Sequence, residues 1–488
     1  MSIYHKKLYP KVQYGKRVLI IGGGHAGKLV IEELKNKKHL QKIPVAILDD
    51  DKAKLYKRIY NVPIISAIEG IGKVTKDLNI SEIIIALPSA SRNRIREIVD
   101  ECKYSKCKVK ILSNRTHRID EETDLHKIRN VQIEDLLGHE PIVLNRNEVK
   151  KYIDKKVVLV SGGGGSIGSE LCRQIVEFSP SQLLILDNNE NGAYEVQQEI
   201  LRKSKNKIDA EIIIGSVQDK IRMKRVFEKY KPKVFFHAAA HKHVPILEHN
   251  PFEAIKNNIF GTLNCVLLAD EYRIDKFILI STDKAVKPIN IMGASKRICE
   301  LVCQEMNKKS ETNFAAVRFG NVLGSNGSVL PLFQKQFEEG GPILVTHPEV
   351  TRYFMTVDEA VQLILTAGAL TQKGEIFVLD MGNPIKIDEI AKDFIRLSGM
   401  EPGVDMDIVY TGLRPGEKLY EDLYTEEESL KNTIHEKIFI GKSSAVDSDM
   451  FFEQLKSLKT IAENEDIVEF YALIKKMVPN FKDINIIQ

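Results

Sequence analysis

An aspartate and a lysine stand side by side in Ser281-Thr282-Asp283-Lys284, directly after the apolar run Phe277-Ile278-Leu279-Ile280. An adjacent acid and base are the minimum equipment for moving protons on and off a substrate. The run before them reads as a parallel strand buried on both faces. That predicts the pair at the strand's carboxyl end, where open α/β sheets hold their ligands. Downstream, Met292-Gly293-Ala294-Ser295-Lys296 reads as the start of a helix, with Lys296 one turn after Met292 on the same face. A surface ion pair after a strand is the plain alternative; the buried approach and the second lysine weigh against it.

The elements that would position this pair are those of a nucleotide-binding sheet. Val157-Val158-Leu159-Val160 reads as a strand running into a turn with Gly162, Gly165, Ser166, Ile167 and Gly168, then a helix, then a second strand closing at Asp187. Glycines at these places permit a tight turn and close approach of the backbone to a pyrophosphate at the helix N-terminus. Asp187 suits the ribose hydroxyls of adenosine and would repel a 2′-phosphate, which favours NAD over NADP; capping the next turn is its alternative use. Ser216, Val217 and Asp219 follow the next strand, with Asp219 placed for the adenine edge. Ala238, Ala239 and Ala240 end the fourth strand and are small enough to let the backbone lie against a cofactor.

The same pattern occurs once before. Val18-Leu19-Ile20-Ile21 leads into Gly22-Gly23-Gly24-His25-Ala26-Gly27, a helical stretch, and a strand ending in Asp49-Asp50-Asp51. Its glycine turn is either structural or a second ligand site, and the residues alone leave both open. The expected class is therefore α/β, with two Rossmann-like doubly wound parallel sheets in tandem and a smaller C-terminal substrate-binding lobe on the second. The expected boundaries are a tail over 1–14, a first domain over 15–135, a linker over 136–154, a catalytic domain with its lobe over 155–440, and a helical extension over 441–488.

A chain of 488 residues exceeds one hydrophobic core. Its 71 basic and 67 acidic residues leave a net charge of +4, too balanced to argue for nucleic acid or a membrane surface. No apolar run is long enough to span a bilayer. The six cysteines show no metal-ligand spacing, and Cys299 and Cys303, one helical turn apart, read as small buried apolar residues in a reducing compartment. His241 and His243 flank Lys242 without a third ligand, so no metal is expected.

Five segments carry a resemblance that covers most of 15–440: Gly164 to Glu170, Ala239 to Pro245, Ser281 to Lys284, Met292 to Arg297, and Arg414-Pro415-Gly416-Glu417-Lys418. Together they resemble the extended short-chain dehydrogenase/reductases and, within them, the CapD-like nucleotide-sugar 4,6-dehydratases of polysaccharide and glycan biosynthesis. That superfamily normally has Tyr-x-x-x-Lys, and Met292 occupies the tyrosine position. The subgroup with methionine and a second Rossmann-like domain in front is similar to the UDP-N-acetylglucosamine 4,6-dehydratases that retain configuration at C5. Inverting relatives keep the tyrosine and generally lack the front domain.

The resemblance implies a hydro-lyase in which hydride passes from C4 to NAD, a base removes the C5 proton as the C6 hydroxyl leaves, and hydride returns at C6. By analogy Lys284 takes the C5 proton, Asp283 protonates the departing hydroxyl, and Thr282 hydrogen-bonds near O4. Lys296 holds the nicotinamide ribose, and Met292 packs. A base role for Lys284 requires a lowered pKa, for which the Lys296 charge is an expected cause. For a UDP-sugar, Lys242 would reach the sugar or phosphates and Asn321 the diphosphate. Arg352 and Arg414 offer forks to phosphate oxygens, and Glu417 would accept from the uridine ribose; structural ion pairs are the alternative for the arginines. A homo-oligomer is implied, cytoplasmic or at the inner face of the cell membrane; larger members carry transmembrane helices ahead of the front domain, and none is visible here. Rival readings are a UDP-sugar C4 epimerase and a non-catalytic nucleotide-sugar binder. Neither has a use for the Asp283-Lys284 pair.

Overall fold

Runs of β-branched residues and leucine assemble into two mainly parallel sheets. In the computed structural model, residues 15–112, 128–131, 135, 142, 144–205, 207–325, 327–425, 428–441 and 446–482 are described. The expected tail over 1–14 and residues 136–141 and 143 of the expected linker lie outside them. The first sheet contains β1 (Lys16–Ile21), β2 (Lys42–Leu48), β3 (Arg58–Ile59), β4 (Val62–Ser66), β5 (Glu82–Ile85), β6 (Lys108–Leu112) and β7 (Ile128–Asn130). Their order is β3-β4-β2-β1-β5-β6-β7, antiparallel only where β3 and β7 join at the edges.

The second sheet contains β8 (Val157–Ser161), β9 (Gln182–Asp187), β10 (Ala210–Ile214), β11 (Val234–His237), β12 (Lys276–Ile280) and β13 (Asn313–Arg318). They lie in the order β10-β9-β8-β11-β12-β13, followed by parallel Ile376–Leu379 and then the antiparallel strands Ile438–Gly441 and Lys431–Asn432. Strand order reverses beside β1 in one sheet and beside β8 in the other. Both are doubly wound sheets with a crevice at the switch point.

The chain groups into two compact units, each drawn from segments remote in sequence. One comprises Met1–Pro141, Leu332–Val345 and Ile387–Tyr410; the other comprises Ile142–Pro331, Thr346–Lys386 and Thr411–Gln488. Inside the first unit, Lys103 bridges Asp393 at 2.7 Å, and the Phe337 ring meets Phe394 edge-on at 5.6 Å.

Inside the second unit, strands apolar at every position serve two cores at once. Phe277 and Leu279 of β12 enter the cluster on one face, Ile278 and Ile280 that on the other. The Phe277 ring lies 5.0 Å from Phe235 and 5.5 Å from Phe314, a row of aromatics across three strands. Over that row lies the helix Ile291–Asn307, in which every residue from Ile291 to Met306 except Arg297 is buried. The expected C-terminal extension forms two helices, Ser448–Asn464 and Ile467–Met477. Phe451, Leu455, Leu458, Phe470 and Ile474 lie on faces that join the same cluster. Their helical spacing had been masked by the polar residues between them. Among the described residues no helix is long and apolar enough to cross a membrane.

One glycine decides how the helix meets the end of β12. A Cβ on Gly293 would overlap the Lys284 carbonyl oxygen, so the helix can approach the turn only at a residue without a side chain. Gly293→Ala is expected to cost about 1–3 kcal/mol by overpacking this contact. A lowered urea midpoint for the second unit's unfolding checks it; an unchanged midpoint would mean that the helix can retreat freely.

Candidate active site

Thr282, two residues past the end of β12, is extended and caps a single 3-10 turn, Asp283–Ala285. Its Oγ1 donates to Asp283 Oδ1 at 2.8 Å. Lys284 Nζ donates to the same carboxylate oxygen at 3.0 Å and to Asn321 Oδ1 at 3.1 Å. On its other side stands Glu421, with Oε1 3.5 Å from the ammonium. Asp283 has no exposed surface, and its Oδ2 is buried without a hydrogen-bond partner. Acid and base are thus adjacent, as the sequence predicts, but they belong to a larger charged cluster.

The cluster corrects one electrostatic expectation. Burial pulls the Lys284 ammonium down, but the Asp283 and Glu421 carboxylates more than offset it, and Lys284 stands above its usual pKa. The opposing cation is Arg352, not Lys296. Glu421 shifts upward in turn: burial is the main cause, Asp283 adds to it, and Lys284 works against it.

Beneath the turn lies a buried ionic network. Ser281 Oγ donates to Glu300 Oε1 at 2.7 Å. Arg318 grips Glu300 through Nε and Nη2 at 2.6 and 2.7 Å, and Glu428 through Nη1 and Nη2 at 2.8 and 3.0 Å. Burial would raise Glu300, yet the Arg318 charge holds it down to about 2. The network binds the end of β12, the Ile291–Asn307 helix and the segment at 428.

The helix start is equally constrained. Asn290 caps it by accepting from Gly293 N at 2.7 Å, and donates to Gly416 O at 2.9 Å. Met292, at the position where the resemblance expects a tyrosine, is buried in the apolar cluster. Lys296 is buried and makes no hydrogen bond or ion pair among the described residues; burial lowers its pKa. Asn258, inside the π-helical turn Ala254–Phe260, donates to Ser295 Oγ at 3.1 Å and to His241 O at 3.0 Å, and accepts from His241 N at 2.8 Å. It thereby fixes the loop on which Lys242 stands exposed. Sequence reasoning missed Asn258 and Glu421. The one local signal was a polar Asn257-Asn258 pair in an apolar helix; Glu421, three residues past Lys418, had none.

At the switch point, residues of the glycine turn fit a dinucleotide. Gly162 has φ +68°, and a Cβ there would lie 2.8 Å from Ala239 N; one on Gly168 would overlap the Gly162 carbonyl oxygen. The Ser166–Ile175 helix begins at Gly165 with no side-chain cap, leaving its first N–H groups for an outside acceptor. Ile167 is half-buried against the sheet core. Asp187 Oδ2 accepts from Gly164 N at 2.8 Å. Ala238 and Ala239 border the turn at Gly162, Ala240 follows them half-buried, and Val217 is buried. Ser216 Oγ accepts from Gln218 N at 3.2 Å, and Asp219, expected at the adenine edge, caps its own helix through Arg222 N at 2.9 Å. Lys296, buried with no hydrogen bond or ion pair among the described residues, is a cation available to such a group.

The front sheet repeats the design with one change. Asp49 Oδ2 accepts from Gly23 N at 2.6 Å, and the same oxygen is paired with Lys54 at 3.1 Å. Asp187 has no ion pair of that kind among the described residues.

The residues expected to hold a UDP-sugar separate into two groups. Arg352 Nη2 donates to Glu417 Oε1 at 3.1 Å, and Arg414 Nε to Glu417 Oε2 at 3.1 Å, so these three are gathered together. Burial raises Glu417, and Arg414 with Arg352 brings it below its usual value. Asn321, expected at the diphosphate, accepts from Lys284 through Oδ1.

Arg318→Met should cost about 3–5 kcal/mol, because it leaves two carboxylates buried without their partner. Urea unfolding measures it, and Arg318→Lys should recover only part, since an ammonium cannot grip both carboxylates in parallel. A stable Arg318→Met protein would show that the network is dispensable.

Residues 158–443 match the family described as polysaccharide biosynthesis protein, and residues 3–113 match a CoA-binding domain family. The chain is 45% identical over 442 residues to the capsular polysaccharide biosynthesis protein CapD of Staphylococcus aureus, covering 90% of this chain and 74% of that one. It is 33% identical over 281 residues to a UDP-N-acetylglucosamine 4,6-dehydratase (inverting) of Campylobacter jejuni, covering 57% and 79% respectively. Among solved structures it is similar to Pen from Bacillus thuringiensis, with a TM-score of 0.55 and 33% identity over 61% of this chain and 90% of that one. With the doubly wound sheet, the glycine turn and the Asp283-Lys284 site all falling inside the matched region, the chain belongs to the polysaccharide biosynthesis protein family that includes CapD.

Proposed function

We propose that this chain is a UDP-sugar 4,6-dehydratase that acts on UDP-N-acetylglucosamine, uses NAD, and retains configuration at C5. The observation that carries the reading is the Thr282-Asp283-Lys284 turn, with acid and base in hydrogen-bond contact and a buried methionine at the tyrosine position. The similarity to a named 4,6-dehydratase supports the reaction class. An epimerase needs no acid–base pair for C5 and C6.

Bound NAD would supply the two-electron oxidation at C4 and the matching reduction at C6. The O4 proton has a path from the sugar to Thr282 Oγ1 and on to Asp283 Oδ1, 2.8 Å away. Asp283, so protonated, then supplies the proton with which the C6 hydroxyl leaves as water. Lys284 takes the C5 proton and later returns it to C5. On this route Met292 needs no proton; it fills space and keeps water from the helix face. Lys242, Arg352, Arg414 and Glu417 would hold the UDP-sugar, with Arg352 and Arg414 turning from Glu417 to phosphate oxygens and freeing its carboxylate for the ribose.

Incubating the full chain with NAD and UDP-N-acetylglucosamine should yield a product lighter by one water, with NMR reporting retention at C5. An isomer of unchanged mass would favour the epimerase, and bound but unaltered sugar the non-catalytic reading. Lys284→Ala and Asp283→Asn should each lower turnover by about 10²–10⁴-fold with sugar affinity nearly intact; near-normal turnover in Lys284→Ala would remove Lys284 from the role of base. The wild type should prefer NAD over NADP by at least about tenfold, and Asp187→Ala should narrow the gap. Equal binding of both cofactors by the wild type would overturn the role given to Asp187.

A further inference from the structure

Lys284 presents a difficulty for any reaction in which it acts as a base. In the arrangement described it is an ammonium between two carboxylates, and a base must first lose that proton. The carboxylate of Glu421, only 2% exposed, stands 3.5 Å away across the ammonium from Asp283. Asp283 Oδ1 is already occupied, accepting from both Thr282 and Lys284. Glu421 Oε2 is buried and has no hydrogen-bond partner among the described residues; Lys418 Nζ lies 3.7 Å away, beyond hydrogen-bond reach. A buried carboxylate short of donors is a poor anion and a good resting place for a proton.

The geometry points to Glu421 as the proton store that turns Lys284 into a base. This rests on the dehydratase reading above. In the step, an Nζ–H bond of Lys284 breaks and an O–H bond forms on Glu421 Oε1, so ammonium and carboxylate become amine and carboxylic acid with no change in total charge. The neutral amine then takes the C5 proton and gives it back to C5 at the end of the cycle. Glu421 keeps its proton throughout, and the sum over one turnover remains sugar minus water. Covering the cluster with substrate would favour the step, because loss of bulk water penalises a charged pair relative to a neutral one.

The charged and titratable groups facing this pair are Asp283 from the turn after β12, Arg352 from the strand Thr351–Arg352, and Lys418 from the same loop as Glu421. Burial raises the Glu421 pKa and Asp283 adds to it, Lys284, Arg352 and Lys418 lower it, and the net shift is upward. Glu421 acts through Lys284 and so is a positioning residue for its proton.

The test compares wild type, Glu421→Gln and Glu421→Asp as full chains with NAD and UDP-N-acetylglucosamine. Alongside, the pH at which Lys284 becomes reactive to acetic anhydride is read by peptide mass spectrometry without sugar. Wild-type kcat should be flat across the pH at which Lys284 itself titrates, because its proton moves internally. In Glu421→Gln, kcat near neutral pH should fall by about 10²-fold, KM should hold, and kcat should climb with pH along the labelling curve of Lys284. That curve should itself lie at least about one pH unit below the wild-type curve, since a neighbouring anion is gone. Glu421→Asp should keep most of the activity and the flat profile. A loss equal at every pH, no loss at all, or an unmoved labelling curve would each overturn the proposal. If the wild type dehydrates nothing, the dehydratase reading fails, and the labelling curves still judge the coupling of Lys284 to Glu421.

Discussion

Arg318 is a full positive charge with no exposed surface, and the end of β12, the Ile291–Asn307 helix and the segment at 428 are arranged around the need to satisfy it. An isolated guanidinium could not be buried at that depth; two carboxylates, each gripped by two nitrogens, make it tolerable. Because Glu300 lies one turn beyond Lys296, and Ser281 lies one residue before the Thr282-Asp283-Lys284 turn, satisfying the arginine also sets the register between helix and strand. The geometry of Asp283 and Lys284 inherits its precision from that network rather than from the pair itself.

Above this network the charges alternate. Asp283, Lys284, Glu421 and Lys418 form one chain of opposite signs, and Arg352, Glu417 and Arg414 form a second. Such arrangements hold their protons by mutual attraction, so proton positions respond to whatever enters and removes water. A phosphate would compete for the arginines of the second chain. Arg352 also acts on Lys284, so the two chains are electrically linked.

The two glycine turns show how similar backbones acquire different electrostatics. In both, the last glycine abuts the first glycine's carbonyl, and an aspartate at the end of the second strand accepts from the turn. In the front sheet Lys54 neutralises that aspartate; in the second sheet no described residue does the same for Asp187. One aspartate is held by backbone N–H groups alone, the other also by an ion pair.

Much of the fold was legible because buried parallel strands are apolar at every position and glycine turns have few backbone solutions. Chain-local features thus follow from the sequence: the alternation of strand and helix, the turn at Gly162 to Gly168, the position of Asp283-Lys284 after β12, and methionine in place of tyrosine. The tertiary structure alone decided which groups share space. Glu421 reaches Lys284, Glu428 reaches Arg318, and Leu332–Val345 and Ile387–Tyr410 join the first unit, all across long stretches of chain. A residue's charge is written in the sequence. Its pKa depends on distance and burial, which is why the sign of the Lys284 shift could be learned only once its neighbours were in place.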